Sequence, residues 1–148
     1  MSLKNLIIED MKDAMRAGDK LRLGAIRMAL AAIKQKEVDE RITLDDEAVL
    51  SVLEKMLKQR RESISQFRDA GREDLAKREE AEAEILSAYM PEPLAEAELE
   101  AIVKKAISET GAESMRDMGK VMAIVKAQAQ GRADMSAVSA RVRTLLGS

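Results

Sequence analysis

The sequence predicts an all-α fold, with an N-terminal four-helix subdomain over residues 1–90 and a C-terminal three-helix subdomain over residues 91–148. Three observations carry that prediction. Hydrophobic residues make up 46% of the chain, charged residues 35% and aromatics only 1%, and the dominant types are the straight-chain helix formers Leu, Ala, Met, Glu, Lys and Arg. Apolar residues recur at helical spacing along most of the chain. Gly18, Gly71, Gly111 and Gly131 stand where those patterns stop, and Pro91-Glu92-Pro93 interrupts them once more sharply. At 148 residues the chain has the size of one ordinary domain and can bury a core.

Each helix has its own signals. Leu3, Leu6, Ile7, Met11 and Ala14 place one apolar stripe on a first helix that stops near Gly18. A second helix runs from about Asp19 to Val38, with Leu23, Ile26, Leu30 and Ile33 inward and Arg22, Arg27, Lys34 and Lys36 on its other faces. Thr43 followed by Asp46 reads as an N-cap. The third helix begins there and includes Val49, Leu53, Met56 or Leu57, Ile64 and Phe67, over roughly 25 residues or about 40 Å. After Gly71, Arg72 to Met90 reads as a fourth, heavily charged helix with Leu75, Ile85, Leu86 and Tyr89 apolar and Glu79, Glu80, Glu82 and Glu84 forming a solvated face. Beyond the prolines come Ala95 to Thr110, Ser114 to Gln130 and Asp134 to Leu146, with Ser114 and Asp134 as N-caps. A unit of that size is marginal alone and is expected to dock on the first four helices or on a partner.

The chemistry is bounded by what is missing. With no Cys and no His, disulfides, thiolate nucleophiles, the usual zinc sites and imidazole acid-base catalysis are excluded. Adjacent acids such as Asp45-Asp46 and Glu79-Glu80 diverge on a helix rather than converge on one reacting atom. No catalytic residue, metal or cofactor is expected. Asp10, Lys12 and Asp13 interrupt the apolar pattern from Ile7 to Met15, which argues against a signal peptide or membrane span; together with the lack of cysteine this predicts a cytoplasmic protein with no membrane partner.

Charge is unevenly distributed. Residues 79–113 carry ten acids against two bases, whereas residues 114–148 carry six bases against two acids, although the chain as a whole has a net charge of -2. A strongly acidic-to-basic polarity of this kind fits a local anion-binding surface, and a solvated helix face is the blander account. Two glycines in the basic end precede a cation, Gly119-Lys120 and Gly131-Arg132. The first lacks the leading glycine, the Ser/Thr and the strand of a P-loop, so nucleotide hydrolysis is excluded on this motif. Two readings stay open. In one, Gly131 is a helix C-cap, Asp134 caps the next helix and Gly119 admits a neighbouring backbone. In the other, Arg132 with Lys120 or Lys126 grips phosphate beside the turn. In a second cluster, Lys58 to Ser63, Lys58 and Arg61 lie one turn apart, Arg60 points elsewhere, and Arg61 is placed to pair with Glu54. Without interleaved aromatics, any nucleic acid would be held by backbone and shape rather than by base stacking. Met115, Met118, Met122 and Met135 suggest an adaptable groove for a protein partner, or core filler.

Several segments together resemble the YqeY family: KQRRES at Lys58 to Ser63, Phe67, AGREDL at Ala70 to Leu75, Glu79 and Glu82, YMP at Tyr89 to Pro91, MGKVM at Met118 to Met122 and GRAD at Gly131 to Asp134. The family is all-helical and is similar to the tail of GatB, the tRNA-handling subunit of the tRNA-dependent amidotransferase. That resemblance implies tRNA, an amidotransferase or another tRNA-handling protein as partner, and DNA is not expected. It places Lys120 and Arg132, with Arg116 and Lys126 beside them, on RNA. Ala123, Ala127 and Met135 stand where the family often has Gly, Pro and Gly, so the basic residues stay while turn formers are lost. Family-level association with glutamine-dependent carbon-nitrogen ligation implies at most an accessory role, because likeness to a tail does not transfer a reaction.

Overall fold

A computed structural model describes residues 1–147. These form seven α-helices and one short 3-10 helix, with no strand among the described residues: α1 (Leu3–Ala17), α2 (Lys20–Glu40), α3 (Asp46–Asp69), α4 (Glu73–Ser87), α5 (Glu96–Thr110), the 3-10 turn Met115–Asp117, α6 (Met118–Ala129) and α7 (Met135–Leu146). The all-α expectation holds. The chain separates into two compact units, one over Met1–Met90 and one from Pro91 onward. No described helix is long and apolar enough to cross a membrane.

Helix boundaries in the first unit follow side-chain capping. Ser2 accepts from the Asn5 N–H, and Asp19 accepts from that of Arg22; Gly18, at φ 68°, supplies the left-handed residue between the two helices. The start of α3 differs from the Thr43 expectation. Asp45 is the cap, accepting from the Ala48 N–H at 2.9 Å, and Asp46 reaches out to accept from the Leu3 N–H at 2.8 Å. A carboxylate expected inside one capping motif thus ties the start of α1 to the start of α3.

The core of this unit is Ile7 of α1, Ala25, Ile26, Ala29 and Ile33 of α2, Leu44, Val49, Leu53 and Leu57 of α3 and its approach, and Leu86 of α4. Each large member stabilises the unit by about 1.5–3 kcal/mol relative to exposure. Leu6, expected in the α1 stripe, is instead 43% exposed, because Ile7 alone at that level meets the core. A polar clasp closes the open end. Glu37 accepts from Lys4 Nζ at 2.8 and 3.0 Å and from the Leu44 N–H at 2.9 Å, so one carboxylate joins α1, α2 and the loop that buries Leu44.

The glutamates of α4 do not form the solvated face expected of them. Glu79 and Glu82 turn inward onto Arg60, whose side chain is only 7% exposed. Arg60 Nη1 donates to Glu79 at 3.0 Å and to Glu82, and Nη2 donates to the Met28 sulfur at 3.3 Å. Glu80 pairs with Arg68; Glu84 is left exposed. Within the Lys58 to Ser63 cluster, Lys58 and Arg61 are exposed on one side while Arg60 points inward, in agreement with the spacing; the Arg61–Glu54 ion pair does not form among the described residues. A buried guanidinium must be answered by carboxylates, and α4 brings two of them one turn apart.

The second unit packs Val103 and Ala106 of α5 against Val121, Val125 and Ala129 of α6 and Val138, Val142 and Leu146 of α7. Arg141 of α7 pairs with Glu96 in the first turn of α5. Met118, Met122 and Met135 are partly buried against this core and act as filler, while Met115 is 43% exposed.

Two predictions follow from these contacts. Arg60→Ala will destabilise the protein by about 2–3 kcal/mol by stranding two carboxylates, and replacing all three groups (Arg60→Met, Glu79→Leu, Glu82→Leu) will recover most of that loss in urea titrations. Glu37 is held below its ordinary value of 4.5, first by the Lys4 hydrogen bond and then by the Leu44 N–H. Its stabilising contribution is therefore full above that value and is lost as pH falls through the lower folded one. The urea midpoint of Glu37→Gln will lie below that of the wild type at neutral pH, and the gap will narrow as pH falls below the ordinary carboxylate range.

Candidate nucleic-acid interface

The basic end is organised around α6. Ser114 is extended and its hydroxyl accepts from the Arg116 N–H at 3.4 Å. The 3-10 turn then runs directly into α6, placing Arg116 about one turn ahead of Lys120. Asp117 accepts from the Glu113 N–H at 3.0 Å; that hydrogen bond, with help from the Ser114 N–H and the Lys120 charge, holds its carboxyl below the usual range. The acid nearest the basic face is thereby turned toward its own backbone.

Burial of Val121, Val125 and Ala129 at four-residue steps fixes the rotation of α6. The opposite face carries Gly119, Ala123 and Ala127, all exposed. Lys120 and Lys126 are six residues apart, about 240° around the helix, and so stand on either flank of that small-residue strip. No acid occurs between Met118 and Ala133. The ion pairs of this unit, among the described residues, join Lys104 to Glu100, Lys105 to Glu109 and Arg141 to Glu96. Arg116, Lys120 and Lys126 take part in none of them and are exposed.

Two sequence-based expectations change here. Gly119 was read as admitting a neighbouring backbone, but a Cβ built there meets nothing within 4 Å. The missing side chain leaves the outer face low at that position. Lys120 and Arg132 do not converge on one point either, since Lys120 is in the first turn of α6 and Arg132 lies in the turn beyond its last residue, with about 13 Å of helix between Lys120 and that end.

Arg132 has a structural task that the sequence did not signal. Gly131 adopts φ 77°, the turn closes with the Arg132 N–H on the Ala129 carbonyl at 2.9 Å, and the Arg132 carbonyl accepts from the Leu94 N–H at 2.8 Å. Its Nε donates to the Glu92 carbonyl at 3.0 Å. The residue pins the Pro-Glu-Pro segment to the α6–α7 turn by two hydrogen bonds. Asp134 caps α7 by accepting from the Ser136 N–H at 3.0 Å, so the donors at that helix start already have a carboxylate.

With this geometry in view, comparison with known proteins is informative. A family model described as "Yqey-like protein" matches residues 4–146. The chain belongs to the YqeY family. It is similar to a protein of Pyrenophora tritici-repentis named "Altered inheritance of mitochondria protein 41, mitochondrial", with 34% identity over 142 residues, 94% of this chain and 78% of the relative. Proteins of the same name from Eremothecium gossypii and Lachancea thermotolerans are 44% identical over 92 residues and 41% identical over 104, covering 61% and 68% of this chain. The matched stretches span about half the length of these two relatives, 50% and 56%.

The relatives correct the cytoplasmic expectation. They are named as mitochondrial proteins and point to mitochondria rather than the cytoplasm. That expectation rested on the absence of cysteine and of a long apolar run, and neither observation separates one reducing compartment from another.

Arg132→Ala should cost about 1 kcal/mol of stability through the lost Nε bond, whereas Lys120→Ala and Lys126→Ala should stay within about 0.5 kcal/mol. Thermal or urea unfolding of the three variants checks this, and equal effects at all three positions would contradict it.

Proposed function

We propose that this YqeY-family chain is a helical adaptor that binds tRNA through the outer face of α6. The observation that carries the reading is the set of unpaired cations Arg116, Lys120 and Lys126 around a strip of Gly119, Ala123 and Ala127 that has no acid on it. Small residues let a sugar-phosphate backbone approach the helix closely, and cations not held in ion pairs release counterions from that backbone on contact. The similarity of the family to the GatB tail supports tRNA as the anion in question. Arg132 contributes by fixing the turn at the far end of α6, and its remaining guanidinium nitrogens can meet a separate phosphate. In this reading the chain holds or presents RNA to a tRNA-handling enzyme, and the chemistry belongs to that enzyme.

The test is fluorescence anisotropy of labelled total tRNA against the full chain over a salt series. The wild type should bind with an affinity that falls as salt rises. Arg116→Ala, Lys120→Ala and Lys126→Ala combined should reduce the slope of log affinity against log salt by about two to three. An unchanged slope in the triple variant, or no binding by the wild type, would refute the proposal.

A further inference from the structure

Helix α2 is apolar on two faces. Its inner face buries Ala25, Ile26, Ala29 and Ile33. Its outer face presents Leu21, Gly24, Met28, Ala31, Gln35 and Val38, spaced by alternating threes and fours over three turns of a seven-residue repeat, and all six are exposed. Leu21 is 42% exposed, Met28 53% and Val38 59%. A surface helix ordinarily turns charged and polar residues outward; this one turns out the seam of a coiled coil.

The edges of the seam are as regular as its centre. Lys20, Arg27 and Lys34 each precede a seam residue by one position, repeat every seven residues and are exposed. None forms an ion pair among the described residues. Along the other edge a groove of about 520 Å³ separates α2 from α3, with Ala32, Lys36 and Asp39 on one wall and Val52, Lys55 and Met56 on the other. Met28 is held at the seam by the hydrogen bond that its sulfur accepts from the buried Arg60. Nothing lies within 4 Å of where a Cβ on Gly24 would stand, so a second helix can come close.

Charge decides what that second helix is. In a parallel pair of α2 helices the basic row would face Ala25, Ala32 and Asp39, the first of which is buried in its own core. In an antiparallel pair the two basic rows would face each other, which is repulsive. A second copy therefore answers at most Lys34, through Asp39 in the parallel arrangement, and leaves Lys20 and Arg27 without a carboxylate. We propose that the outer face of α2 docks an amphipathic helix of another protein, one with an apolar seven-residue seam edged by carboxylates that meet Lys20, Arg27 and Lys34. Leu21, Met28 and Val38 supply the apolar contact, and Gly24 and Ala31 receive the larger side chains of the partner.

The experiment uses the full chain and three labelled three-heptad peptides, one with Leu at the seam and Glu at both edges, one with Lys at the edges, and one with the Glu-edged composition scrambled. The Glu-edged peptide should bind saturably and at least about tenfold more tightly than the other two. Lys20→Glu, Arg27→Glu and Lys34→Glu together should weaken it about tenfold and reverse the preference toward the Lys-edged peptide. Met28→Glu should weaken both, with far-UV circular dichroism showing unchanged helicity. Equal binding of the scrambled and seam peptides, or no binding of the Glu-edged one, would overturn the proposal. So would a wild-type dimer that Met28→Glu converts to monomer, which would place a second copy on the seam. Loss of tRNA binding in the triple Glu variant would make the row a nucleic-acid contact and would overturn it as well.

Discussion

Burial of Arg60 constrains more of this molecule than any other single interaction. A guanidinium that is largely removed from water has to be met by negative charge and by acceptors, and here two carboxylates and a thioether do so from two different helices. That requirement fixes how α4 lies along α3. It also draws Glu79 and Glu82 off the surface, and it holds Met28 at the outer face of α2. The unit has only two aromatic rings, Phe67 and Tyr89, and Tyr89 itself works through a polar contact, donating its hydroxyl to Asp10 of α1 at 2.6 Å; directional polar contacts set the register of the helices. The Glu37 clasp and the Asp46 bridge to Leu3 work in the same way at the other end.

The two units treat their charges differently. In the first, much of the charge is engaged: Lys4, Arg60, Arg68 and Arg72 all have carboxylates, and the engagement orders helices. In the second, the acids cluster on α5 and pair within it or with α7, while α6 keeps its cations unpaired on a low, acid-free face. Unpaired cations contribute little to a fold. They are free to interact with an anionic partner, and the family resemblance makes tRNA the partner to test first.

Helix periodicity and glycine punctuation made all seven helices legible before any coordinates, because each helix needs one apolar stripe and a stop. Cap identities were less so. Thr43 and Asp45 are both residue types that cap helices, and the structure uses Asp45, two residues later than the Thr43 reading. The inward turn of Glu79 and Glu82 was hidden for a different reason, since a glutamate run on a helix has the same local signature whether or not an arginine from another helix lies beneath it. Arg132 illustrates the same limit. Its position after Gly131 announced a turn, but its hydrogen bond to the Glu92 carbonyl depends on a contact forty residues away in the chain. The cytoplasmic expectation rested on composition, and the composition of one reducing compartment resembles that of another.

Hydrogen–deuterium exchange of the full chain with and without total tRNA tests most directly whether the free cations of α6 form the binding face. The account predicts slower exchange in peptides spanning the 3-10 turn and α6, with α1, α3 and α4 unchanged, and loss of that protection as salt is raised. Protection confined to the first unit, or none anywhere at saturating tRNA, would contradict it.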